Sequence, residues 1–236
     1  MKHMLFAPLI LLTTINSSLN AAPFILASKD RFPIQIKHRS STKFHHQESQ
    51  PSLIIKEMRS LAKDRKWKDL IEQHSMENFS TWSTESPKNI AEAYYFRAQA
   101  YYFTKNAKEA EKDCKAGLAL DPKNELLLLI LAENYANNLQ DEEQALAIYG
   151  KIINLTGTTN GWLPISSTLA IASILTNQVK INEALAVLDK YSASKDMAPA
   201  WRIKILRAYG HAYAAQGKEK ESLEKFKEAL QIESQK

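Results

Sequence analysis

One cysteine, six glycines and eight prolines among 236 residues exclude several large classes of protein. With Cys114 alone, the chain forms no internal disulfide and no thiol-based metal cluster, so its stability has to come from packing. So few glycines and prolines do not furnish the tight turns that a sandwich or barrel needs between short strands. There is no glycine-rich phosphate loop, no His-Glu pair at zinc-protease spacing and no serine set between glycines. An apolar run long enough for a membrane-spanning helix is also missing: the stretch from Met4 to Ile15 contains Pro8 and falls short of the roughly twenty residues a bilayer requires. Charge of one sign is scarce in the periodic part of the chain. The net charge is +5, and runs such as 105–115 and 218–227 alternate sign at helical spacing, the pattern of a solvated helix face rather than a phosphate-binding stripe. No nucleic acid partner is expected.

What is present favours helices. Hydrophobic residues make up 44% and charged residues 24% of the chain, with Ala, Leu, Lys and Glu abundant, and almost no strand is expected. Residues 1–22 have the layout of a secretory signal peptide: a short basic start, the apolar run, then a polar stretch ending in small residues, with cleavage after Ala21 or Ala22. Residues 23–50 lose all periodicity and are rich in Lys, Arg, His, Ser and Gln, as in a flexible basic linker. His38, His45 and His46 lie there without a carboxylate or thiol at ligand spacing, so no metal and no cofactor is assigned. The chain is therefore expected to be exported, periplasmic or secreted, with no stable membrane anchor after signal removal.

Residues 51–236 carry a repeat, clearest from Ala91 to Asn124. Tyr94, Ala98 and Tyr101 fall at i, i+4 and i+7 on one helix face, and Ala110, Cys114 and Gly117 line a second helix. Asn106 separates the two helices as a cap, and Asp121-Pro122 stops the second. Hairpins are expected near 52–76, 90–120, 125–154, 164–193 and 200–233. The third repeats the pattern with Leu128, Ala132, Tyr135, Ala145 and Tyr149 and has one extra residue in its internal turn. The fourth uses Ala172, Ala184 and Leu188, and the last Leu206, Gly210, Tyr213, Phe226 and Ala229. Phe79, Trp82 and Trp162 sit between hairpins and are expected to fold back onto neighbouring cores.

This spacing resembles the tetratricopeptide repeat (TPR), a unit of about 34 residues with fixed bulky, small and aromatic places and a closing proline, held here by Pro122. The resemblance implies an all-α fold, an α-α superhelix of about five stacked hairpins. It also implies that the first helices line a concave face and present the residues one position beyond the packing sites. In this chain those include Tyr95, Gln99, Tyr102, Leu129, Glu133, Asn137, Asn177, Lys204, Arg207 and His211. Tyr95 and Tyr102 are placed to stack on a peptide or sugar, Asn137 and Asn177 to grip a backbone, and Lys204, Arg207 and His211 to form a modest anion site. The two-Lys, two-Asn, one-Arg carboxylate clamp of chaperone-binding relatives is not reproduced. No catalytic residues are assigned. The acidic pairs Glu142-Glu143 and Glu219 with Glu221, the latter beside Lys218 and Lys220, read as solvated helix surface. The expected function is an exported, TPR-type interaction or scaffold module with a protein or peptide partner, serving a cell-envelope or secreted complex. The alternative is an accessory protein that binds a glycan or small ligand on the aromatic face.

Overall fold

A computed structural model describes residues 49–157, 161–192 and 197–234. The expected signal peptide and nearly all of the expected basic linker, including its histidines, lie outside the described residues. Ten α-helices pair into five hairpins: α1 (Gln50–Lys63) with α2 (Trp67–His74), α3 (Pro87–Phe103) with α4 (Ala107–Leu120), α5 (Glu125–Asn134) with α6 (Glu142–Thr156), α7 (Trp162–Asn177) with α8 (Ile181–Ser192), and α9 (Pro199–Ala215) with α10 (Glu219–Glu233). No strand occurs among the described residues. Each helix packs on the next, and first helices also pack side by side at α1–α3, α3–α5 and α7–α9, with α6 bridging α5 and α7. Helices this short are marginal alone, so the stack is what holds them.

Local chemistry fixes where the helices begin. The side chains of Ser49, Ser86, Asn124 and Asp141 accept from backbone N–H groups in the first turns of α1, α3, α5 and α6, which satisfies donors the helix itself cannot. Proline near the start of α1, α3 and α9 costs nothing there, since its missing N–H would go unpaired anyway. Asn106 differs from expectation. It stands at the start of α4, but its amide donates to Thr104 Oγ1 at 3.0 Å, so its side chain braces the turn and does not cap the helix.

The five internal turns share one device. Each places a single residue in left-handed backbone: Arg65, Lys105, Gln140, Val179 and, alone as glycine, Gly217. The next N–H then reaches back to the first helix, as in Lys66 to Leu61, Asn106 to Tyr101, Lys180 to Leu175 and Lys218 to Tyr213, each at 2.9 Å. In the third hairpin the bond runs from Asp141 to Tyr135 at 2.9 Å, one residue wider, and Tyr135–Leu139 form a π-helical turn. That turn accommodates the extra residue seen in the sequence.

Small residues let the helices approach closely. A Cβ at Gly117 would lie 2.6 Å from Leu127 Cδ1 and 3.1 Å from Tyr94 Cβ, so α4, α5 and α3 meet where only glycine fits. Ala98, Ala110, Cys114, Ala132, Ala145, Ala172, Ala184, Leu188 and Ala229 are buried. Tyr101 and Tyr94 are only half-buried, and the fully enclosed ring of α3 is Tyr102, one residue further on. Phe79 and Trp82 turn inward as expected: Phe79 is fully buried, 4.8 Å from the Trp82 ring and 5.1 Å from Tyr94. Trp162 opens α7 and does not belong to a loop.

Candidate functional site

The ten residues expected on the concave face divide into two groups. On α3 and α5, Tyr95 (6% exposed), Gln99 (5%), Tyr102 (2%), Leu129 (1%) and Glu133 (2%) are buried and form part of the packing. Asn137 is half-buried on the π-helical turn; Asn177, Arg207 and His211 are exposed, and Lys204 is partly so. The aromatic half of the expected face is therefore closed in this conformation. The long side chains of Tyr95 and Tyr102 on α3 are buried together with Leu129 and Glu133 of α5, and the sequence rule places a Cα on the inner side without saying whether its side chain stays open.

The closed half is a hydrogen-bonded cluster. Asn137 Nδ2 donates to the Tyr102 hydroxyl at 3.1 Å, and that hydroxyl donates onward to the Glu133 carboxylate. Gln99 bonds the Tyr95 phenol. Glu133 also lies close enough to Tyr95 and Tyr149 to push both phenol pKa values further up, beyond the larger effect of burial. Burial pushes the Glu133 carboxyl up to about 7, against a lesser opposing pull from the Tyr102 hydrogen bond. Its Oε2 atom has no hydrogen-bond partner. The result is a carboxyl that changes charge near neutrality inside a tyrosine-walled seam.

The turn after Glu133 is anchored by asparagines. Asn134 donates to the Ala107 carbonyl at 2.8 Å; Asn138 donates to Asn134 Oδ1 at 2.9 Å and accepts from Lys105 Nζ at 3.0 Å. These bonds tie the π-helical turn to the end of α3 and the start of α4.

The three residues expected to form an anion site have separate engagements. Lys204 Nζ lies 4.6 Å from the centroid of the Trp201 ring, Arg207 Nη2 forks onto Glu233 at 2.8 and 3.1 Å, and the His211 ring meets Phe226 edge-on at 5.2 Å. Arg207 is neutralised by its neighbour on α10, so the cluster is weaker for an anion than its composition suggests.

One buried ionic centre has no counterpart in the sequence expectations. Arg97 forks onto Asp113 through Nε and Nη2 at 2.7 and 2.8 Å, and its Nη1 donates to the carbonyls of His74 and Glu77 at 3.1 and 2.7 Å. The guanidinium also lies 4.2 Å from the centroid of the Phe79 ring. These contacts fasten the end of α2 and the following loop to α3 and α4. The only available signal was an arginine placed among small and aromatic residues, with an acid beside Cys114. Cys114 itself is buried and its thiol pKa is raised well above the usual range by desolvation, so it packs and is no nucleophile. Among the described residues no group of three or more His, Cys, Asp or Glu is placed to hold a metal ion.

Five hairpins, small residues at their crossings and a shared turn geometry define a helical-repeat protein with a TPR-like solenoid fold. Solved structures of the same fold confirm that class. A putative kinesin light chain of Podosopora anserina with nearly identical TPR-like repeats superposes with a TM-score of 0.64 at 17% identity, covering 80% of this chain and 98% of that one. MamA AMB-1 superposes with a TM-score of 0.59 at 18% identity, over 78% of this chain and 99% of its own. MamA MSR-1 gives 0.59 at 16% identity, over 78% and 97%. No family model matches the sequence, and no curated protein matches it.

Proposed function

We propose that this chain is an exported interaction module that holds a protein or peptide partner and performs no chemistry of its own. The observation that supports this reading is the repeat fold: hairpins that contact chiefly their neighbours leave an extended face, and such faces suit recognition of other chains. The accessible part of the first-helix face lies toward α7 and α9, where Asn177, Arg207 and His211 offer hydrogen-bonding groups to an extended backbone. The leader read in residues 1–22 supports export to the periplasm or beyond the cell, and with it service in a cell-envelope or secreted complex. No helix among the described residues is long and apolar enough to cross a membrane. Stacking of a glycan or small ligand would use the rings of Tyr95 and Tyr102, both buried here, so nothing favours that alternative.

Affinity capture with the tagged mature chain from its own cells tests the reading. The control is an Asn177→Ala/Arg207→Ala/His211→Ala variant, whose changes lie on exposed positions. A partner retained by the wild type and lost by the variant, with helix content and cooperative unfolding kept, is the expected result. Equal recovery by both would remove this face, and no recovery above a tag-only control would remove the interaction reading. Recovery of the intact leader on protein from the cell interior would remove export.

A further inference from the structure

We propose that Glu133 is a pH-operated latch on the seam between α3 and α5: neutral, it keeps the seam closed, and ionised, it drives the seam to open and bare Tyr95, Tyr102 and Leu129. The argument starts from geometry. Glu133 is 2% exposed and its Oε2 has no partner, so a charge on it has one oxygen that neither protein nor bulk water solvates. The groups around it are phenols and amides. Tyr95 and Tyr102 face it from α3, Tyr149 from α6, and Asn137 reaches it through Tyr102 from the π-helical turn. Cys114 of α4 and Glu92 of α3 act on the cluster through Tyr95, and Lys105 Nζ, in the turn after α3, lies 5.9 Å from the centroid of the Tyr102 ring. No cationic side chain among the described residues acts on the carboxyl. The sole available relief for the charge is water, and water enters only if α3 and α5 part.

The expected size follows from linkage. Burial in the closed seam pushes the carboxyl up to about 7, against the 4.5 of a hydrated glutamate. Because the closed form binds the proton more tightly, closure is favoured at low pH, and the advantage drains away as pH rises from 4.5 through 7. Between pH 5.5 and 8.5 the opening equilibrium should grow by up to about 30-fold. His74, a buried imidazole at the end of α2, acts in the opposite sense. Burial lowers its pKa, so acidification through the usual imidazole range penalises the α2 end of the stack, away from this seam.

The latch gives the interaction reading a regulated site, and only its functional meaning rests on that reading. Hydrogen exchange on the full chain, with no partner present and intrinsic rates corrected for pH, measures the latch directly. Segments 87–103 and 125–139 of the wild type should exchange roughly 10- to 30-fold faster at pH 8.5 than at pH 5.5, while Glu133→Gln should show little change. An equal pH response in Glu133→Gln, or none in the wild type, overturns the proposal. Should the variant fold poorly, carbon-detected titration of Glu side chains in the wild type decides: one carboxyl titrating near neutrality supports the latch, and all titrating below pH 5.5 refutes it. Failure here leaves partner capture untouched.

Discussion

Replacing Asp113 with alanine should destabilise this protein more than almost any other single truncation. The wild-type carboxylate takes two charge-assisted bonds from Arg97, at 2.7 and 2.8 Å, and both side chains are buried. Its removal leaves a guanidinium inside the stack with its charge uncompensated, for which about 3–5 kcal/mol is the usual loss. Asp113→Asn keeps the shape and one acceptor and should lose less, about 1.5–3 kcal/mol. The double variant Arg97→Met/Asp113→Leu removes both charges. Its remaining deficit comes chiefly from the Glu77 carbonyl, deprived of its donor at about 1–3 kcal/mol if no water reaches it, while the His74 carbonyl keeps the Glu77 N–H at 3.3 Å. The double variant should therefore be less damaged than the single variants Arg97→Met and Asp113→Leu added together. Urea unfolding followed by helix signal measures wild type, Asp113→Ala, Asp113→Asn, and the Arg97→Met, Asp113→Leu and double variants of the cycle. Hydrogen exchange locates the loss, which should fall first on α1, α2 and the loop carrying Phe79, since Arg97 holds that end of the stack. An Asp113→Ala variant within 1 kcal/mol of wild type, or strict additivity in the cycle, would refute the account of a buried, interdependent fork.

Other variants read other parts of the fold. Val179 has a β-branched side chain at φ 62, a backbone region that costs L-residues about 1–2 kcal/mol, so Val179→Gly should raise stability by about 1 kcal/mol in a thermal melt. In Gly210→Ala the new methyl would sit 2.7 Å from the Phe226 ring, an overpacking of about 1–3 kcal/mol, and a companion Phe226→Leu change should restore part of it in the same assay. The thiol of Cys114, buried with its pKa raised, should resist alkylation in the folded protein and react promptly in urea; fast labelling of the native chain at neutral pH would contradict the packing described.

The fold was largely legible because it depends on residue size at fixed spacing. Ala98, Ala110 and Gly117 stand where two helices must approach, and such a pattern survives poor conservation of the aromatics around it. The recognition face was less legible. Tyr95 and Tyr102 are amphipathic, and the same side chain either stacks on a ligand or fills a seam, a choice set by the neighbouring helix rather than by local sequence. Tyr101, expected at the core, is half-buried while Tyr102 is enclosed, a shift of one residue that periodicity alone does not resolve. The Arg97–Asp113 fork escaped notice for another reason. Charged residues are normally solvated, and their pairing here spans two helices and the end of a third, a relation visible only in three dimensions.

The widened turn between α5 and α6 bears on how such a chain diversifies. An additional residue would ordinarily twist the returning helix out of its groove, yet here the backbone loops outward while asparagine amides hold both flanks in place. Duplicated units can thus drift in length at their elbows without losing partners above and below, which allows uneven spacing along the chain to coexist with an orderly spiral.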